Sequence, residues 1–138
     1  MCLVMPELNI GTACKDITCY KLFYKQKGYK RLSTIFQSYP MTIGKTYKIK
    51  PSEYPVYSNG TCAAKNLKQY YIEKGCFHSF KTIQGARAYL KKIEKNYDPC
   101  YVIVKCVVPT GSEYYEGEFD AHYKSYASTR IQPIEIVK

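Results

Sequence analysis

The chain has 138 residues, 46% of them hydrophobic and 23% charged, and its formal net charge is +10. These values are typical of one globular domain that folds without disulfides or metal, and no window is long and apolar enough for a membrane-spanning helix. The excess positive charge predicts attraction to polyanions, although excess lysine can also serve solubility alone.

The charge is unevenly divided along the chain. Residues 1–98 carry 17 bases and 6 acids, whereas residues 99–138 carry 4 bases and 5 acids. No linker or repeat accompanies this change. We therefore interpret residues 1–138 as a single domain, with residues 1–14 as a loosely ordered N-terminal arm.

Local patterns in the first half of the chain predict mainly strands. Alternation and β-propensity predict a strand over Ile17–Lys25, and the turn signal after it predicts a hairpin with a second strand over Tyr29–Gln37. A third, shorter strand is predicted over Thr42–Lys50. Asn59-Gly60-Thr61 is interpreted as a turn that caps a helix running through Tyr71.

The second half predicts one clear helix followed by strands. Thr82 is a favourable N-cap, and apolar residues at helical spacing follow from Ile83 to Tyr97. Cys100–Val108 is a β-branched run typical of a central strand. Further strands are predicted over Tyr114–Phe119 and Thr129–Val137, the latter with Pro133 marking an edge or bulge. The order predicts an α+β domain, with a mainly antiparallel mixed sheet packed by one or two helices.

The seven cysteines predict the compartment. Their odd number, without the pattern of a signal peptide, predicts reduced thiols and a cytoplasmic location. Their spacings contain no C-x-x-C pair, so we expect neither a metal site nor a cofactor. We expect no membrane partner, and the sequence leaves the oligomeric state open.

Cations interleaved with aromatic rings are the main functional signal. Lysine and arginine would neutralise phosphates, tyrosine rings would stack on bases, and a polar pair before the helix would add hydrogen bonds. The predicted ligand-binding residues are Tyr20, Lys21, Tyr24, Lys25, Tyr29, Lys30, Arg31, Tyr47, Lys48, His78 and Ser79. His78 can equally be a core histidine bonded to a backbone carbonyl.

Two patterns keep an enzyme open as an alternative. Cys62, at the start of the predicted helix, could be a thiolate nucleophile with His78 or His122 as its base. Glu116-Gly117-Glu118 has the E-x-E form of many ADP-ribosyltransferases. A buried cysteine and the solvated face of a strand explain the same residues, so the sequence favours a binding protein with no catalytic residues.

Four segments carry a resemblance to a group of proteins. They are Ile43-Gly44-Lys45-Thr46-Tyr47, Gly75-Cys76-Phe77-His78-Ser79-Phe80, the P-x-G-S-x-Y turn at Pro109–Tyr114, and Tyr126-Ala127-Ser128. Over about residues 41–130 the chain resembles small uncharacterised proteins of bacteriophages and their hosts. It departs from them by inserting Cys76 and by Thr110 where lysine is usual. The resemblance implies a compact, phage-encoded domain in the cytoplasm of a bacterial host, and supplies no activity.

The expected function is therefore that of a non-enzymatic, phage-like counter-defence protein. Its ligand would carry phosphate, as nucleic acid or as an oligonucleotide or cyclic nucleotide signal, bound by the Lys/Tyr-rich face. One alternative is an inhibitor that binds an acidic face or a nucleic-acid channel of a host defence protein. Another is a small enzyme, thiol-dependent or similar to ADP-ribosyltransferases.

Overall fold

The computed structural model describes residues 3–5, 10–25, 32–34, 40–49, 56–62, 67–72, 77–94, 101–119 and 123–137. Thirteen strands and one helix, α1, lie in these residues. The elements are β1 (Leu3–Met5), β2 (Ile10–Thr12), β3 (Ile17–Lys25), β4 (Leu32–Thr34), β5 (Pro40–Met41), β6 (Tyr47–Lys48), β7 (Val56–Cys62), β8 (Leu67–Ile72), β9 (Phe77–Phe80), α1 (Ile83–Glu94), β10 (Tyr101–Val108), β11 (Glu113–Phe119), β12 (Tyr123–Ser128) and β13 (Arg130–Ile136).

One antiparallel sheet dominates the fold. Its order is β6-β13-β10-β3-β9-β12-β11-β1-β8-β7, while β2 pairs with β11, and β4 pairs with β3 and β5. Every pairing between described strands is antiparallel, so the mainly antiparallel sheet is confirmed. The predicted N-terminal arm contributes two strands, β1 and β2, to this sheet.

β3 and β10 form the centre of the sheet. All of β10 pairs with β3, from Ile17 opposite Val108 to Tyr24 opposite Tyr101. Both strands were predicted from β-propensity, and the structure confirms them. The side chains of β10 are buried or half-buried on both faces, as expected for a central strand.

Successive residues of β3 face opposite sides of the sheet. Cys19 and Phe23 belong to a cluster with Val104, Cys106, Ile131 and other buried residues, which we name the core face. Leu22 belongs to a second cluster on the other side, which we name the helix face. Its members include Phe80, Ile103 and, from α1, Ala86, Tyr89 and Leu90.

The helix begins as predicted at Thr82. The Gly85 backbone N–H donates to Thr82 Oγ1 over 3.1 Å, which satisfies one of the free donors of the first turn. Lys91 and Lys92 lie in the last turn, where the helix dipole favours cations. At 12 residues, the one helix in the described part of the chain is too short to cross a bilayer. The predicted continuation to Tyr97 lies outside the described residues.

The C-terminal strands are also confirmed. β11 contains the predicted segment Tyr114–Phe119, and β13 lies within the predicted segment Thr129–Val137. The Pro109–Gly111 turn is closed by the Ser112 N–H donating to Pro109 O over 3.1 Å. Gly111 has a φ of 87°, which glycine adopts readily. The predicted bulge lies at Pro133, where the register of β10 and β13 shifts.

Two local predictions are wrong. The segment assigned to a helix through Tyr71 forms β7 and β8, and Asn59-Gly60 lies at a register irregularity between Ser58 and Thr61 instead of in a helix-capping turn. A local turn signal within a strand thus marks a bulge. The strand predicted over Thr42–Lys50 is interrupted by a turn at Gly44, which has a φ of 90°, and within its described residues, 42–49, only Tyr47–Lys48 is a strand.

Candidate functional site

The structure divides the predicted ligand-binding residues among different surroundings. Tyr29, Lys30 and Arg31 lie outside the described residues. Tyr20 and Tyr24 face the helix side of β3, where Tyr20 packs on the helix-face cluster and Tyr24 meets Tyr101 edge-on, with ring centroids 6.0 Å apart. Both rings are half-buried and engaged with protein.

Lys21 lies on the opposite face of β3 from these tyrosines. Its Nζ donates to the backbone carbonyl of His78 over 2.6 Å, and desolvation lowers the pKa of its ammonium to about 8. The buried thiols of Cys19 and Cys106 lie near it. Lys21 is thus half-buried and bonded to the backbone, whereas Lys25 is exposed at the end of the strand.

His78 and Ser79 are buried in β9, opposite Ala127 and Tyr126 of β12. Burial, together with the charge of Lys21, lowers the pKa of His78 to about 3, so its imidazole is neutral at pH 7. Neither ring nitrogen has a hydrogen-bond partner among the described residues. Ser79 lies beside Cys19, whose pKa is raised by burial to about 11, against a smaller opposing effect of the Ser79 hydroxyl.

A polar row crosses the core face from β9 to β11. Ser79 is opposite Tyr126, and Tyr126 is opposite Glu116. Glu116 forms an ion pair with Lys81 over 2.6 Å, with side chains 47% and 40% exposed respectively. Burial raises the pKa of Tyr126, and the positive charge of Lys81 opposes that shift. The row thus begins buried and ends at an exposed, paired carboxylate.

The arrangement weakens the thiol alternative. Cys62 ends the strand β7 and does not begin a helix, so the expected lowering of its pKa by a helix dipole has no basis. His122 lies outside the described residues. Glu116 and Glu118 are both exposed, and Glu118 lies opposite Lys124 in the register. These positions suit the solvated face of a strand. The similarity of Glu116-Gly117-Glu118 to the E-x-E motif of ADP-ribosyltransferases stays a prediction.

The segment from Thr42 to Ile49 is fixed along the outer edge of β13. The Gly44 N–H donates to Pro133 O over 2.7 Å, and the Ile49 N–H donates to Thr129 O over 2.9 Å. Between them Gln132 Nε2 donates to Gly44 O over 3.0 Å. These bonds place β6 beside β13 and define the positions of its side chains.

Three cations and one aromatic ring lie along this edge, and we name the four residues Lys45, Tyr47, Lys48 and Arg130 the basic edge. Lys48 lies directly opposite Arg130 in the β6–β13 register. Lys45 Nζ lies 5.4 Å from the centre of the Tyr47 ring, a cation–π distance. Among the described residues, none of the three cations forms an ion pair with a carboxylate. Like charges directly opposite each other destabilise a sheet, so an anion would relieve this arrangement.

The basic edge contains two of the predicted residues, Tyr47 and Lys48. Arg130 was missed, because its proximity to Lys48 depends on a strand pairing between distant parts of the sequence. Around Tyr126-Ala127-Ser128 the sequence has only two separated bases, Lys124 and Arg130, and no basic cluster. Local sequence alone could not have found it.

Comparison with protein-family models, with curated proteins and with solved structures finds no match for this chain.

Proposed function

We propose that this protein binds a phosphate-bearing ligand, first of all single-stranded nucleic acid or an oligonucleotide, at the basic edge. The observation that carries the proposal is the directly opposed pair Lys48 and Arg130, which has no carboxylate partner among the described residues; Lys45 lies in the same segment, over the Tyr47 ring. No catalytic step is part of this function. A counter-defence role is proposed from the resemblance to phage proteins alone.

The chemistry of the two opposed cations favours phosphate. Arginine offers a planar fork of donors that matches two phosphate oxygens, and lysine adds a compact point charge. Lys48 is exposed and Arg130 half-buried, so a ligand can reach both without unfolding the edge. Their mutual repulsion in the free protein falls when a phosphate lies between them.

Tyr47 contributes less by stacking than its sequence context suggested. Its ring packs against the core-face cluster, and its hydroxyl oxygen accepts from the Thr42 N–H over 2.7 Å. Lys45 lies over the ring, so a base could stack there only after this lysine moves. We therefore expect binding to be mainly electrostatic and strongly dependent on salt.

The test is fluorescence anisotropy with a labelled 12-nucleotide single strand over a salt series. Each phosphate contact to a single strand contributes about 0.7 to the salt slope, so three cations predict a loss of about 20-fold between 50 and 200 mM salt. The double variant Lys48→Gln/Arg130→Gln should reduce the magnitude of the slope by about 1.4 and weaken binding at low salt.

Arg87→Gln/Lys91→Gln is the matched control, since it removes two exposed positive charges from the helix. We expect this control to keep most of the salt slope. Equal losses in the two double variants would mean that net charge alone drives binding, and would overturn the assignment to the basic edge. A cyclic trinucleotide in a closed pocket would show a much smaller salt dependence, which the same assay measures.

A further inference from the structure

Two buried cysteines face each other across the centre of the sheet. Cys19 of β3 lies directly opposite Cys106 of β10 in the register, and both side chains belong to the core face. Both residues are fully buried, and both are free thiols. Cysteine packs well as a small apolar residue, but a directly opposed pair also allows a reaction that a single buried cysteine does not.

The spacing of opposed residues in an antiparallel sheet suits a disulfide bond. Their Cα atoms lie about 4.5 or 5.5 Å apart, and a disulfide accepts Cα separations of roughly 4.4–6.8 Å. Opposed Cβ atoms lie about 4.5–5.5 Å apart, and a disulfide needs roughly 3.5–4.5 Å. A small approach of β3 and β10 is therefore sufficient. The Cys106 thiol donates to the Val104 carbonyl over 3.6 Å, a weak bond that this change would break.

We propose that Cys19 and Cys106 form a modification site for hydrogen peroxide, at which oxidation joins β3 to β10 through a disulfide bond. The oxidant must be small and uncharged, because both sulfurs are fully buried and a bulky reagent such as oxidised glutathione cannot reach them in the folded protein. This goes beyond the proposed function, since it involves no residue of the basic edge and no phosphate-bearing ligand.

The oxidation takes place in two balanced steps. The Cys19 sulfur attacks one peroxide oxygen, the O–O bond breaks, and the hydroxide released takes up the thiol proton to become water. The Cys106 sulfur then attacks the sulfur of the Cys19 sulfenic acid, so that an S–S bond forms and the S–O bond breaks. The second hydroxide takes up the Cys106 thiol proton. The two sulfurs together lose two electrons, and the peroxide is reduced to two molecules of water.

The surroundings of the pair favour Cys19 as the sulfur that reacts first. Burial raises the pKa of Cys19 to about 11 and that of Cys106 further. The Ser79 hydroxyl opposes this rise at Cys19, and the positive charge of Lys21 opposes it at both thiols. Because only a small fraction of either thiol is ionised at pH 7, we expect the oxidation to be slow.

The test is incubation of the folded protein at pH 7 with millimolar hydrogen peroxide, followed by alkylation of the remaining thiols in denaturant and peptide mapping by mass spectrometry. We expect a pair of peptides joined through Cys19 and Cys106, lighter by about 2 Da than the two thiol peptides, since two hydrogens are lost. Oxidised glutathione should leave both thiols free. The oxidised protein should also unfold at a higher urea concentration, because more than half of the chain lies between the two cysteines and the closed loop restricts the unfolded state.

Two variants make the test specific. Cys106→Ala should lose the joined peptides and the gain in urea resistance together, whereas Cys14→Ala, which removes an exposed thiol, should keep both. Two thiols that stay free in peroxide, a bond from either one to another cysteine or to the Lys21 amine, or a disulfide that forms only in urea would each overturn the proposal. Oligonucleotide binding by the reduced protein tests the proposed function separately, so either proposal can fail without the other.

Discussion

The dipeptide Tyr-Lys occurs in the central strand β3 and in the edge strand β6, and the lysine is exposed in the edge strand alone. In β3, Tyr20 packs on the helix face and Lys21 lies on the core face, bonded to a backbone carbonyl. In β6, Tyr47 packs on the core face and Lys48 is exposed. Both tyrosines pack against protein, whereas only one lysine is free to meet a ligand.

The position of each strand in the sheet explains this difference. Both faces of the central strand β3 pack against clusters of buried residues, so Lys21 is half-buried although it is charged. An edge strand has one covered face, and its polar residues reach solvent. Cations interleaved with aromatic residues therefore indicate an anion site only where the strand lies at an edge.

The largest expected change in the free energy of unfolding comes from a substitution in the core face near Lys21. Phe23, two residues along the same face, is fully buried. Phe23→Ala should reduce the free energy of unfolding by about 3–5 kcal/mol, from lost burial and the cavity that remains. Urea denaturation at pH 7 measures it.

Lys25→Ala is the matched control at the exposed end of the same strand, where we expect a change within about 0.5 kcal/mol. Similar losses for both variants would contradict the division between a packed face and a solvated end.

An intermediate change in the free energy of unfolding is expected from removing the Lys21 ammonium. Its folded-state pKa of about 8 is below the ordinary value of 10.5, so protonation opposes folding below about pH 8. Lys21→Met should stabilise the protein at pH 7 by about 1–2 kcal/mol, less than the whole pKa shift implies, because the side chain keeps some exposure and a hydrogen bond is lost.

The pH dependence of that variant gives the sharper measurement. Between pH 8 and 10.5 the unfolded chain binds more protons at Lys21 than the folded chain does, so this residue makes the wild type more stable as pH rises. The stability difference between Lys21→Met and the wild type should therefore shrink across this range. Comparison with the variant largely cancels the opposing titration of Cys19 and Cys106. A constant difference would mean that Lys21 titrates normally.

The smallest effect is expected at the exposed end of the polar row. Glu116→Gln removes the ion pair with Lys81, but both side chains are largely solvated. Thermal and urea unfolding should change by less than about 0.5 kcal/mol, and the change should vanish at 1 M salt. A loss above 1 kcal/mol would show that Glu116 supports Tyr126 and the buried part of the row.

Strong local patterns predicted much of the central fold. Ile17–Lys25, the run before Pro109 and the helix after Thr82 follow from β-propensity, β-branching and capping. Phe77–Phe80 was missed, because all four side chains are buried and show no alternation between polar and apolar residues. The strands Val56–Cys62 and Leu67–Ile72 were missed because an Asn-Gly signal in a bulge resembles a helix-capping turn.

The candidate site was less predictable than the fold. Tyr47 and Lys48 followed from local composition, and Arg130 required knowledge of the β6–β13 pairing. The burial of Lys21 could not be predicted, because β3 has apolar residues on both faces. The sequence of the strand therefore does not show which face packs against the core.

The order of strands has a consequence for biosynthesis. β3 is completed early, but its main partner, β10, leaves the ribosome only after more than half of the chain has followed. β6 likewise cannot pair until β13, the last described strand in the chain, has been synthesised. Pairing strands that are far apart in the sequence costs conformational entropy before the new contacts offset that cost, and this makes folding slow. We expect β3 to lack its main partner until β10 has emerged, and β6 to lack β13 until the end of synthesis, so that the nascent chain depends on chaperones during that interval.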